Sequence, residues 1–202
     1  MSSPNQPRRK SKLRPILITT LILIVILLPL AFLAYQFASP FFTHQSEPGP
    51  ASSASDVAQL TSVPPPPEAT GFRVASFEHG QARLVFVRFS APASVCQKYA
   101  AAVLPNAKLK PLDWQDKYDD FATLSSGTAQ FHDLSWFDLP YLNSFWRLQG
   151  GKKVLPYPQA SDNIPEAPDV VGAEADTHLE GYASTKVRID TSRGIFYFMR
   201  SN

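Results

Sequence analysis

The stretch RLVFVRF, residues Arg83–Phe89, carries the strongest fold signal in the chain. Its apolar side chains fall at both odd and even positions. A strand with only one buried face would alternate apolar and polar, so this one is expected to be covered on both sides and to lie in the interior of a sheet. Phe72–Glu78 upstream reads as a second strand, and His79-Gly80 between them is a turn signal, which makes the pair a hairpin. The C-terminal end repeats the pattern. Thr185–Asp190 and Ile195–Arg200 read as strands joined by Thr191-Ser-Arg-Gly194, which fits a type I turn closed by a glycine in the left-handed region. Ile195, Phe196, Tyr197 and Phe198 populate both faces, so this is expected to be an interior strand too.

Between the two hairpins lies a helix signal. Ser90-Ala-Pro92 offers a capping hydroxyl and a proline in the first turn, and Val95, Cys96, Tyr99, Ala100 and Val103 fall on one face of a helix running to about Leu104. Asp113–Leu124 is expected to be a further helix within a less regular region, Leu112–Leu142. Phe145–Gln149 and Lys152–Leu155 suggest a hairpin with a Gly150-Gly151 type I′ turn. Pro156–Ala173 reads as a proline-rich loop. Hairpins with a helix between them predict an α+β fold: an antiparallel sheet of about four to six strands with the Pro92–Leu104 helix as the main helix packed on one face.

Moving toward the N-terminus, the composition changes. Ser39–Thr70 is rich in Pro, Ser and Ala and ends in Pro64-Pro65-Pro66-Pro67. Such a segment is expected to be a spacer, with polyproline II character at the proline run and a short helical turn over Asp56–Val63. Before it stands ILITTLILIVILLPLAFLAYQF, Ile16–Phe37, with no charge between Arg14 and Glu47. About 22 helical residues at ~1.5 Å each span roughly 33 Å, which matches a hydrocarbon core of ~30 Å. The run is longer than the apolar region of a cleavable signal peptide, about 7–15 residues, and lacks an A-x-A-like cleavage site. Arg8, Arg9, Lys10, Lys12 and Arg14 precede it, and no Lys or Arg occurs between Ala38 and Phe72. The positive-inside rule then places the N-terminus in the cytoplasm. The expected organisation is a basic cytoplasmic tail over 1–15, a single transmembrane helix over 16–38, a linker over 39–70 and an extracytoplasmic α+β domain over 71–202, in a plasma (inner) membrane.

The 202 residues carry a net charge of +2, but that excess belongs to the tail: from Gly71 onward 14 basic residues face 14 acidic ones. No clustered basic run is visible there, so a nucleic-acid partner is not expected. The single cysteine, Cys96, rules out an internal disulfide, and no Asn opens a glycosylation site. Both absences point to a bacterial envelope.

No motif fixes a chemistry. There is no Gly-rich phosphate loop, G-x-S-x-G elbow, H-E-x-x-H or C-x-x-C, and no cofactor or metal is expected. Cys96 lies on the apolar face of its helix and reads as core. His132-Asp133 has no companions at ligand spacing. Asp113, Asp116, Asp119 and Asp120 read as a solvated helix face. The aromatic residues from Trp114 to Trp146, interleaved with aspartates, are the suggestive feature, since rings stack on ligands and carboxylates accept their hydroxyls. Trp136 and Phe137 are adjacent and cannot both point inward in a strand; with Trp114 and Asp116 they are the candidate binding residues. The expected function is a membrane-anchored extracytoplasmic binding or assembly module acting on a protein partner or cell-wall polymer. The alternative is a small anchored hydrolase using carboxylates within 112–142.

Overall fold

The computed structural model describes residues 25, 27–29, 44–46, 52–79, 82–126, 133–149, 151–156, 159, 162–176 and 184–202. Contacts divide the chain into two units, 1–42 and 43–202. In the first, Val25, Leu27, Leu28 and Pro29 are helical and exposed. The rest of the 16–38 run lies outside the described residues, and among the described residues no helix is long and apolar enough to cross a membrane.

The second unit is built on an antiparallel sheet. Its strands are β1 (His44–Ser46), β2 (Thr70–His79), β3 (Ala82–Ser90), β4 (Lys110–Pro111), β7 (Val170–Asp176), β8 (Ser184–Asp190) and β9 (Ile195–Ser201), in the order β1-β2-β3-β9-β8-β7-β4. A separate hairpin pairs β5 (Arg147–Gln149) with β6 (Lys152–Val154). The α+β class and the two long hairpins agree with the sequence. So do the interior strands: β3 lies between β2 and β9, and β9 between β3 and β8.

Three helices join the sheet: α1 (Ala54–Thr61), α2 (Ala93–Val103) and α3 (Trp114–Leu124). Because β3 and β9 are apolar on both sides, both faces of the sheet are covered. Val85, Val87, Phe89, Phe196 and Phe198 form one core with α1 and α2. Leu84, Phe86, Tyr197 and Met199 form a second core with Phe121 and Leu124 of α3 and with the 3-10 turns Ser135–Phe137 and Pro140–Phe145. The expectation of one main helix on one face is therefore corrected to helices on both.

Four local expectations also change. Ser90 ends β3 rather than capping α2, whose N-cap is Pro92 with no side-chain bond. The strand claims Ser90 because it pairs with both Thr70 and Ile195. Val170–Asp176, placed largely in the proline-rich loop, is a sheet strand paired along its length with β8. The 39–70 segment is more than a spacer. It supplies β1, paired with Ser76–Glu78, and α1, which has a capping box between Ser53 and Asp56 and buries Val57 and Thr61. Finally, Asp120 is fully buried rather than part of a solvated face. The expected helix face of α2 does hold: Cys96, Tyr99 and Ala100 are buried, with Val95 and Val103 packed beside them.

Candidate functional site

Helix α3 positions most of the candidate region. Asp113 caps it, accepting from the Asp116 backbone N–H at 2.9 Å, while the Asp116 carboxylate accepts from the Asp113 backbone N–H at 3.2 Å. Lys110 closes the corner, 3.1 Å from Asp116 and 3.7 Å from Asp113. The backbone N–H of Asp116 and then the Lys110 charge hold the Asp113 carboxyl below its usual value. Asp116 is thus committed to the helix start. Trp114, one residue into the helix, is 52% exposed and stacks on Tyr118 with centroids 5.4 Å apart and planes 19° apart.

Phe137 is fully buried, in edge contact with Phe86 at 5.3 Å and Tyr197 at 5.2 Å. It anchors the 3-10 turn to the sheet and is not available to a ligand. Trp136 beside it is half-buried, and its indole N–H is shielded with no hydrogen-bond partner among the described residues. The four candidate residues therefore part ways: Trp114 is open, Trp136 partly covered, Asp116 occupied and Phe137 in the core.

The polar centre of this face was not foreseen. Arg188, on β8, is fully buried. Its Nε donates to Asp120 Oδ2 at 2.7 Å and its Nη2 to Asp120 Oδ1 at 2.9 Å, a two-point pairing. Tyr141 donates its hydroxyl to the same Asp120 Oδ2 at 2.6 Å. Arg188 Nη1 donates to the carbonyls of Val187 at 3.0 Å and Ala173 at 3.2 Å. Room for the guanidinium comes from Gly172: a Cβ there would stand 2.7 Å from Arg188 Cδ and 2.6 Å from Leu112 Cδ2. Burial opposes the charge on Arg188, but the Asp120 carboxylate outweighs it and raises the guanidinium above its usual value. Burial first, then the Asp120 charge, pushes the Tyr141 hydroxyl well above its usual value. Lys186, two residues before Arg188 and on the same face, lies 3.8 Å from Asp120 and 3.7 Å from Glu174.

With both oxygens of Asp120 occupied by Arg188 and Tyr141, the cluster ties α3, the 3-10 turns and the sheet together. The other described carboxylates of 112–142 are engaged as well. Asp119 accepts from Gln115, Asp133 from the Ser135 backbone, and Asp138 from Arg193. Cys96 is buried, and burial pushes its thiol up to about 11, so the thiolate that a nucleophile requires is scarce at neutral pH. His132 and His178 lie outside the described residues.

At the far end of the sheet an open depression of about 470 Å³ is lined by Glu68, Thr70, Ser90, Ser192, Arg193 and Gly194, among others. Gly194 has φ +64, and a Cβ there would meet the Ala91 carbonyl oxygen at 2.6 Å, so the turn requires glycine. Arg193 is engaged by Asp190 and by Asp138, whose side-chain Oδ2 it reaches at 2.8 Å.

Sequence reasoning passed over Arg188 and Lys186. The available signal was their period-two placement in TKVRID, a strand otherwise fit for the interior, where a charge has to find a partner. No protein-family model, curated protein or solved structure matches the chain.

Proposed function

We propose that the chain is a membrane-anchored binding or assembly module of a bacterial envelope, held by residues 16–38 with its folded unit outside the cytoplasm. The observation that carries this is the charge asymmetry about the apolar run: Arg8, Arg9, Lys10, Lys12 and Arg14 precede it, and no cation follows until Arg73. Cations close to one end of a span keep that end in the cytoplasm. The partner is a protein or a wall polymer, and the open Trp114–Tyr118 stack is the aromatic surface best placed to meet it, since stacked rings offer a flat, rigid, amphipathic contact. The occupation of the 112–142 carboxylates in caps and ion pairs lends the hydrolase alternative no support.

The test is a pair of reporters fused after Asn202 in a bacterial host. An alkaline phosphatase that folds only after export is expected to be active, and a fluorescent protein that matures only in the cytosol is expected to stay dark. The opposite pattern sinks the topology and the envelope reading with it.

A further inference from the structure

The strand registers line up one row of residues across the sheet. Arg73 pairs with Arg88, Arg88 with Tyr197, Tyr197 with Arg188, Arg188 with Gly172, and Gly172 with Lys110. Directly paired residues point to the same face of a sheet, so this row lies on the face that carries Phe86, Tyr197 and α3. Two of its four cations have a carboxylate supplied by the fold. Arg188 has Asp120, and Lys110 has Asp113 and Asp116. Off the row but on the same face, Lys186 has Asp120 and Glu174, while Arg193, in the turn before β9, has Asp138 and Asp190. Arg73 and Arg88 are the exception: among the described residues neither is in an ion pair.

Their position makes this costly. Like charges directly opposite on neighbouring strands repel. Arg88 is half-buried, and its Nε is shielded from water with no hydrogen-bond partner among the described residues. A buried donor left unmade destabilises the fold. Tyr197 beside it interacts with Arg88 through its hydroxyl but brings no negative charge to offset the pair. Its hydroxyl already donates to the Asp138 carbonyl at 3.0 Å and accepts from Arg193 at 2.8 Å. Arg73 is exposed, so the pair is open to solvent on the β2 side.

We propose that Arg73 and Arg88 form a binding site for a phosphate-type oxyanion. A carboxylate has two oxygens and is satisfied by one guanidinium fork; a phosphate has enough acceptors and charge to bridge two forks. Held over the pair, it offsets the repulsion between the two guanidinium groups. The site goes beyond the envelope reading and does not depend on it, because it rests on sheet register and on the lack of a counter-ion for the pair among the described residues. The same chemistry is presented by a soluble phosphate ester and by a phospholipid headgroup.

The test follows the arginine side-chain N–H signals of the full-length chain by NMR in neutral detergent micelles. One arm adds inorganic phosphate and glycerol 3-phosphate; a second dopes the micelles with phosphatidylglycerol. A saturable shift of the Arg88 Nε–H signal is expected. Arg73→Gln, at an exposed position that leaves the core untouched, is expected to weaken the apparent affinity at least tenfold, and Lys98→Gln, on the exposed side of α2, to leave it unchanged. A response to the soluble esters assigns a soluble source; a response to the doped micelles alone assigns the headgroup. No saturable shift in either arm, or a shift equally strong in Arg73→Gln, overturns the proposal. Failure here leaves the reporter experiment, and the envelope reading, unaffected.

Discussion

Asp120 receives three hydrogen bonds, two from Arg188 and one from Tyr141, at a site closed to water. Removing one member of such a pair leaves the other charge buried and alone, which costs about 3–5 kcal/mol, whereas replacing both with apolar side chains of similar volume is often neutral. Asp120→Asn is therefore expected to lower the unfolding free energy by roughly that amount in urea titration, and the triple variant Asp120→Leu/Arg188→Met/Tyr141→Phe, which leaves no hydroxyl of this cluster unpaired, to recover most of it. A triple variant as unstable as the single would mean that the pair itself, not the orphaned charge, carries the energy. Asp190 gives the pH counterpart. Burial alone would raise its carboxyl, but the Arg193 side chain and backbone N–H and the Ser192 hydroxyl outweigh it and hold it below its usual value. A carboxyl lowered in the folded state contributes stability above its unfolded pKa of ~3.9 and loses it as pH falls through the lower folded value. The unfolding free energy is expected to drop on acidification below about pH 4, and Asp190→Asn to flatten part of that drop.

At the scale of elements, α1 changes where the folded unit begins. Its capping box, the burial of Val57, and the Tyr99 hydroxyl shared between Thr61 Oγ1 at 2.7 Å and the Val63 carbonyl at 2.8 Å bind it to α2 and the sheet. Burying one valine side chain contributes about 1.5–3 kcal/mol and an N-cap about 1 kcal/mol. A fragment starting at residue 71 is thus expected to melt on the order of 5–10 °C below a fragment starting at residue 43; equal melting temperatures would show that α1 adds nothing. The helical turn expected over Asp56–Val63 is present, but the composition of 39–70 hid its docking, because proline and serine dominate the average while Val57 and Thr61 carry the buried contact. Strand β7 was hidden for a related reason. Gly172 and the acids Glu174 and Asp176 in VVGAEAD argue against a strand locally, yet β8 supplies its ladder and Arg188 needs the space that Gly172 leaves.

Within the folded unit, the sheet is a divider between two apolar cores, and the buried charges are sorted onto one side of it. The core with α1 and α2 is almost purely hydrophobic. The other face carries Arg188, Lys186, Asp120 and Tyr141 under α3 and the 3-10 turns. The proposed export, with its reporter test, belongs to this scale: the topology decides which compartment meets Trp114 and the Arg73–Arg88 pair, and so which partners are within reach.

Read alone, the sequence determined the two long hairpins, the interior placement of β3 and β9, the buried face of α2 and the extent of α3. Each of these is written in local periodicity and turn chemistry, which act over a few residues. Tertiary structure alone decided that Asp120 is buried, that Phe137 is core while Trp114 stays open, that α1 and β7 join the fold, and that Arg73 faces Arg88. The Asp120–Arg188 partners stand 68 residues apart. No local pattern names such a partner; only the closing of the sheet brings the two charges to one place and leaves another two without a counter-ion among the described residues.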